Sequence, residues 1–572
     1  MKTVEYRDAW SFLDQYRGKD FQGKWPTVPE LFSLTAKRFP DKTAFRAFDP
    51  DVSYTYKEAL DIMHRVSRYL HAEGFVKGDK IAVSGKNSPE WALAYFAIMY
   101  AGCVTVPLDF TLHDHEMEHF IEFGDVKALF IDSDRIANID KDGKLGIKKY
   151  SLEKCDGYDF ILDLDGPAAD IPQQGNSDVA AILFTSGTTG IPKGVMLTND
   201  NLVSDCFETQ ANLDFSDSVI YAILPLHHAY TMEAVVYISI SIGNTVVFGR
   251  KLAMSRIFKE IREGNVTVFM SVPMLYNKMI ASLMAGVKKK GRLTYAFVRT
   301  MMVFSGFWQA LTGKNIGKKL FRSLLEKLSF ENIRVCISGG GPLPVSTFRM
   351  FNQLGVKFVQ GYGLTEASPI THVNPVEAFR TASVGKRFPD VEVKIVNPDS
   401  DGNGLIYIKG PMVMKGYYKN PDATREVLTE DGWLNTGDVG YQDKDGYLYL
   451  TGRAKSVIIT EGGKNVFPEE IEDQFQLYNE LDQVCVIGYM ADKAMKREGI
   501  RIILVPSKEY ADSVGNDKTV IEKHLNELVD NVNRSLQSYK RITKVDVYYS
   551  PLPMTSTKKV KRNEVAKLFE DK

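Results

Sequence analysis

Cysteine is scarce and unpatterned: Cys103, Cys155, Cys206, Cys336 and Cys485 are the only five in 572 residues. An odd, scattered set without metal-ligand spacing excludes a disulfide-framed secreted scaffold and suits a reducing compartment, each thiol acting as a small buried hydrophobe. Charge of one sign is equally lacking, since 71 Lys and Arg against 72 Asp and Glu leave a net charge of −1. That balance argues against a nucleic-acid-binding protein. Internal repeats and low-complexity tracts are absent. The charged start Met1-Lys-Thr-Val-Glu-Tyr-Arg-Asp leads into no apolar core with a cleavage site, so no signal peptide is expected. The longest apolar run, Trp91 to Leu108, is broken by Gly102 and Pro107 into a helix followed by a strand, as in a buried α/β core rather than a membrane span. A cytoplasmic protein is expected, with peripheral contact at the inner face of a membrane left open.

What is present is ample core material, 44% hydrophobic residues, enough for a large body and a smaller lobe. Helical periodicity alternates with β-branched runs: helix over Tyr56–Glu73, strand over Lys80–Ser84, helix over Pro89–Ala101, strand over Val104–Pro107, helix over Leu112–Phe123, strand over Ala128–Asp132. Such alternation predicts an α/β fold with parallel sheets sandwiched by helices. Val391–Val396 and Gly404–Lys409 read instead as short antiparallel strands of a small β-rich subdomain. Beyond Ser456 the pattern predicts an α+β C-terminal lobe, with a helix over Pro468–Leu477, strands over Val484–Tyr489 and Ile500–Val505, and a helix around Val520–Ser535.

The most informative segment is Phe184-Thr-Ser-Gly-Thr-Thr-Gly-Ile-Pro-Lys-Gly-Val195, directly after the apolar strand Val179–Leu183. Its Gly187, Gly190 and Gly194 bring backbone N–H groups close to an anion, Ser186, Thr188 and Thr189 add hydroxyl donors, and Lys193 adds charge. The loop lacks the Gly-Lys-Ser/Thr ending of the common ATPase loop, so a different nucleotide chemistry is indicated. Ser338-Gly-Gly-Gly-Pro342 and Gly361-Tyr-Gly-Leu-Thr-Glu366 are further strand-then-glycine turns. Trp433-Leu-Asn-Thr-Gly-Asp438, Thr451-Gly-Arg453 and Pro551-Leu-Pro-Met-Thr-Ser-Thr-Lys-Lys-Val-Lys-Arg562 follow.

In this order the motifs resemble the adenylate-forming superfamily of AMP-binding enzymes, which includes the acyl-CoA synthetases, across nearly the whole chain. The resemblance implies an N-terminal adenylation domain over residues 1–453, a hinge over 454–457 and a mobile C-terminal domain over 458–572. It implies ATP, Mg²⁺ and coenzyme A as cofactor and co-substrates, with a carboxylate attacking the α-phosphate and a thiol then taking the acyl group. The loop from Thr185 to Lys193 would enfold the phosphates, Thr185 being also a catalytic candidate, and Glu366 would hold Mg²⁺ with Thr188 as accessory ligand. Gly339, Gly340, Gly341, Tyr362, Gly363 and Thr365 would receive the adenine side, and Asp438 and Arg453 the ribose. Lys559 matches the lysine that bridges carboxylate and phosphate, while His228 falls where a ring lines the acyl pocket and gates thiol entry. Gly462 and Gly463 would line the thiol channel. Coenzyme A and acyl carrier protein present the same pantetheine arm, so the acceptor stays open.

Two positions depart from the pattern: Lys558 stands where glycine usually precedes the catalytic lysine, and Ser456 replaces the usual hinge aspartate. A catalytically weak nucleotide- or lipid-binding relative is therefore an alternative. From Gly264 through Leu325 there is no Asp or Glu, while Lys288, Lys289, Lys290, Arg292, Arg299, Lys314, Lys318, Lys319 and Arg322 interleave with Phe297, Met301, Met302, Phe304, Phe307 and Trp308. This stretch resembles the insertion of the long-chain fatty acyl-CoA synthetases, which makes a fatty acid the expected substrate. Its basic, amphipathic helix is expected to rest on anionic lipid, to roof the acyl tunnel, or to do both. A homodimer is compatible with the sequence, which carries no signal on oligomeric state.

Overall fold

Two large sheets, buried against helices, organise the chain in a computed structural model that describes residues 6–185, 193–459, 464–492, 497–555 and 559–570. Ser186, Gly187, Thr188, Thr189, Gly190, Gly462, Gly463 and Lys558 lie outside the described residues.

The first sheet has seven strands and the second thirteen. In the first, Lys80–Ser84 pairs in parallel with Val104–Pro107 and Val126–Ile131. One edge is the antiparallel hairpin of β1 (Val179–Thr185) and β2 (Lys193–Thr198), which Gly416–Tyr417 extends. The second sheet carries a parallel core that includes Val268–Ser271, β3 (Val335–Ser338) and β4 (Lys357–Gly363). Through Ile370–Val373 and Gly385–Arg387 it runs on without a break into the antiparallel hairpin β5 (Leu434–Gln442) and β6 (Tyr447–Arg453). The predicted strands Glu392–Val396 and Gly404–Lys409 do pair antiparallel, but as the far edge of this same sheet. Short local patterns announce each strand, yet not which sheet edge it joins.

The apolar run of the sequence becomes α1 (Pro89–Tyr100), started by Pro89 and by a Ser88 hydroxyl that accepts from the Trp91 N–H. Eleven of its twelve residues are buried, as expected of a helix packed on every side. No helix among the described residues is long and apolar enough to cross a membrane. α2 (Asn199–Asn212) follows β2 with Thr198 as its cap. α3 (Pro273–Lys288) starts directly after the strand Val268–Ser271 and Val272, and α4 (Arg292–Thr312) follows it across Gly291. Gly291 and Gly313 bound α4 at φ of 115° and 70°, conformations that favour glycine. α5 (Val345–Gln353) packs against both.

The C-terminal residues form a three-stranded sheet, Leu481–Asp492, Arg497–Pro506 and Lys544–Val547, with α6 (Lys518–Ser535) on one face. Leu525 and Val529 of α6 meet Val486, Ile502 and Leu504, while the terminal helix Arg562–Phe569 covers the other face through Val565 and Phe569. The helix expected over Pro468–Leu477 ends at Glu472. Beyond it, Asp473 to Tyr478 form successive turns that seat Phe475 in the core and leave Gln476 to face α3. All five cysteines are free, four buried and Cys155 half-buried.

Candidate active site

The segment expected to hold phosphate is flanked by the two strands of a hairpin. Thr185 of β1 faces Lys193 of β2 across the rung that opens the loop, and its hydroxyl donates to the Lys193 carbonyl at 3.5 Å. Gly194 is required just beyond, because a Cβ there would sit 2.9 Å from Ile182 Cγ2. The neighbouring strand Gly416–Tyr417 ties this hairpin to the next motif. The Tyr417 hydroxyl donates to Glu366 Oε1 at 2.8 Å, the Met414 N–H donates to the Glu366 carbonyl, and the Lys193 ammonium lies 4.8 Å from the Tyr417 ring centroid. Burial and the Glu366 carboxylate both push the Tyr417 phenol upward, so it stays a donor. Tyr417 carries no signal in the sequence beyond its aromatic character, and only the sheet pairing reveals it.

Glu366 and Thr365 lie in the 3-10 turn Thr365–Ala367 that follows β4. Just before it, a Cβ on Gly363 would come within 1.7 Å of the Pro369 carbonyl oxygen, so no side chain fits. Tyr362 is buried, and its hydroxyl donates to Asp438 Oδ2 at 2.7 Å. The other carboxylate oxygen, Oδ1, lies 2.8 Å from Arg453 Nε. Asp438 on β5 and Arg453 on β6 are direct cross-strand partners, so three predicted residues from three motifs form one chain of contacts. Arg453 is mostly open to solvent yet stands among the charges of Asp438, Glu366 and Glu469, and the Asp438 carboxylate raises its already high pKa. An open side chain ringed by protein groups describes the wall of a cleft.

The triple-glycine turn lines the same cleft. Gly340 takes a φ of 78°, and an added Cβ on Gly339 would meet the Tyr230 ring at 3.0 Å. Tyr230 donates to the Ile337 carbonyl beside it. A Cβ on Gly341 would lie 3.9 Å from the Lys559 Cε, which brings a C-terminal lysine to the N-terminal body. Lys559 is fixed at its backbone: its carbonyl accepts from the Thr555 N–H at 2.8 Å, and its N–H donates to the Thr555 hydroxyl at 3.1 Å. Although open on one side, it is surrounded by enough protein that desolvation, aided by the Arg453 cation, draws its ammonium down to about 8, against the pull of Asp438.

His228 completes the rim. Burial, the adjacent His227 and the Lys559 charge hold its imidazole down to about 3, with Asp109 acting the other way, so the ring is neutral at physiological pH. His227 Nε2 instead faces Asp109 Oδ2 at 3.5 Å.

Other contacts hold the C-terminal lobe against the body. Asn277 of α3 donates to the Gln476 side chain at 2.7 Å, and Gly452 has no room for a side chain beside Phe467. Arg562 is held within the C-terminal lobe: Nη1 reaches Glu469 at 2.7 Å, Nη2 reaches Glu472 at 2.7 Å, and Ser456 Oγ lies 3.5 Å away. Its recognisable counterpart in the sequence was the pair Glu469 and Glu472, three apart after a helix-starting Pro468.

The AMP-binding enzyme family model matches residues 32–418, and its C-terminal domain model matches residues 455–572. The chain belongs to the AMP-binding enzyme family of adenylate-forming ligases. A long-chain-fatty-acid–CoA ligase of Bacillus subtilis (strain 168) is 26% identical, covering 94% of each chain. A feruloyl-CoA synthase of Amycolatopsis sp is 28% identical over 96% of this chain and 99% of that one. The ATP-bound MatB from Rhodopseudomonas palustris superposes with a TM-score of 0.74 at 26% identity, over 95% of this chain and 99% of that one.

Proposed function

We propose that this AMP-forming ligase activates a long-chain fatty acid with ATP and passes it to coenzyme A. The observation that carries the reading is Lys559 entering the cleft beside Gly341, in the field of Arg453 and Asp438 and near enough to His228 to help hold that imidazole neutral. Two anions, carboxylate and α-phosphate, repel as they approach, and a cation between them acts mostly in the transition state. Lys559 is assigned that place. Lys193 and the loop beyond Thr185 would take the outer phosphates, with Ser186, Gly187, Thr188, Thr189 and Gly190 as the expected donors. Tyr362, with Gly339, Gly340 and Gly341, would bound the adenine. Asp438, already oriented by Tyr362 and Arg453, would accept from the ribose hydroxyls.

Mg²⁺, when bound, supplies neutralisation of the phosphate charge. Its proposed protein ligand is Glu366, because Mg²⁺ needs only one or two carboxylates when phosphates and waters complete its shell, and Tyr417 orients this one. No cluster of three or more potential ligands among the described residues offers a rival site. Neutral His228 would line the path of the incoming thiol to the reacting carbonyl without adding charge to it. The domain limits 1–453, 454–457 and 458–572 belong to the proposal: rotation about Ala454–Ser456 would withdraw Lys559 and bring Gly462 and Gly463 to the thiol. The long-chain assignment is supported by likeness to the B. subtilis ligase.

The test is pyrophosphate exchange and AMP release with carboxylates of graded chain length, each with coenzyme A and with acyl carrier protein. The proposal expects exchange and thioester to peak with long-chain acids and coenzyme A. Preference for aromatic acids would remove the fatty-acid assignment, transfer only to carrier protein would replace the acceptor, and absence of exchange would leave a nucleotide- or lipid-binding relative.

A further inference from the structure

α4 is apolar on two opposite sides, and only one of them is covered. Met302 is buried, and Tyr295, Val298 and Met301 are partly buried against the core of the second sheet's helices. Tight contact with α5 holds this side down, since a Cβ on Gly306 would lie 3.0 Å from Gln353 Cγ. The opposite side carries Leu293, Phe297, Phe304, Phe307, Trp308 and Leu311. Their spacing of three, four and seven residues places them in one stripe along the helix. Their exposures of 88, 67, 45, 63, 38 and 70% leave most of that apolar surface in water. Isolated exposed apolar residues are ordinary, whereas a contiguous stripe from Leu293 to Leu311, along nearly the whole helix, marks a contact surface.

The charges at its ends identify the partner. Lys288, Lys289 and Lys290 lie exposed before α4, Lys314 and Lys319 lie exposed after it, and none of the five forms an ion pair among the described residues. No acidic residue occurs from Gly264 through Leu325. We propose that α4 is a docking helix that lies on an anionic lipid surface, the stripe entering the acyl boundary and the flanking lysines meeting the headgroups. A second copy is disfavoured: laid parallel or antiparallel, two such helices bring lysines against lysines. An acidic protein would satisfy the lysines, yet a continuous aromatic and aliphatic stripe matches hydrocarbon better than a charged helix. The proposal stands independently of the substrate's chain length. α3, which begins at Pro273 beside Gly341 and ends at Lys288 shortly before α4, links the site to this surface over about 24 Å at 1.5 Å per residue.

The experiment is flotation of the full chain with vesicles of equimolar phosphatidylglycerol and phosphatidylcholine against pure phosphatidylcholine, at low and high salt. The wild type should partition at least about tenfold more strongly to the anionic vesicles, with the preference fading in high salt. F304S/F307S/L311S should lose at least about tenfold of that partition while keeping its melting temperature and its activity on a water-soluble acid. K288Q/K289Q/K290Q should lose the anionic preference and keep the residual apolar binding. Failure of the wild type to partition, or equal partition by F304S/F307S/L311S, overturns the proposal. So does a wild-type dimer that this variant dissociates, or a selective loss of transfer to acyl carrier protein with vesicle binding intact.

Discussion

The cleft and the surface of α4 are both rich in cations, but their cations differ in what confines them. Lys193 hangs on the closing rung of a hairpin beside Tyr417, Arg453 is clamped to Asp438, and Lys559 is held at both backbone groups by Thr555. Lys288, Lys289, Lys290, Lys314 and Lys319 point into water without ion partners among the described residues. A confined cation can be aimed at one developing charge, whereas a free one acts only through the average field it adds to a surface. The cleft is therefore expected to respond to single substitutions, and the surface only to several at once.

The sharpest way to break that contrast is Lys559→Ala. Pyrophosphate exchange should fall by about 10²–10³-fold, the scale of removing one preorganised electrostatic group. Thioester formation from presented acyl-adenylate should change only a few-fold. Equal loss of both steps would show that Lys559 merely supports the fold. Arg562→Ala tests the framework behind that lysine: it leaves Glu469 and Glu472 without their shared cation, and calorimetry should record a loss of about 3 kcal/mol in the C-terminal lobe.

The protonation of Lys559 sharpens the comparison further. Only the ammonium bridges two anions, and desolvation lowers it to about 8, so kcat/KM for exchange should decline as pH rises through about 8. Lys559→Arg, slower but permanently charged, should lose that alkaline limb in the same pH–rate profile. Tyr417→Phe, which removes the donor to Glu366, should raise the Mg²⁺ concentration needed for half-maximal exchange a few-fold and leave the pH profile alone. Smallest of all, Lys319→Gln should alter neither exchange nor stability beyond about 0.5 kcal/mol.

Much of this architecture was legible in one dimension because its signals are local. Lys80–Ser84, Val104–Pro107 and Gly404–Lys409 occupy the predicted strands, since β-branched alternation and flanking glycines act within a few residues. The glycine turns that define the cleft were equally readable, for they mark places where the backbone is approached closely, as Gly363 is by Pro369. The helix after Pro468 was overextended because its apolar pattern continues past Glu472, while packing of Phe475 and the contact of Gln476 with Asn277 draw the chain into turns. Tyr417 was invisible, since its partner Glu366 lies 51 residues away and meets it only when Gly416–Tyr417 joins β2. Arg562 likewise meets its partners Glu469 and Glu472, 93 and 90 residues away, only when the C-terminal lobe folds.

By itself the sequence determined the elements and the chemical inventory: strand, glycine turn, hydroxyl loop, carboxylate and lysine follow from steric freedom and side-chain chemistry that neighbouring residues set. Only the tertiary structure decided that Asp438 and Arg453 face each other across a hairpin, that Lys559 enters the cleft beside Gly341, and that one side of α4 is left uncovered. Those relations depend on which surfaces meet after long loops close, and no local preference of the chain encodes that.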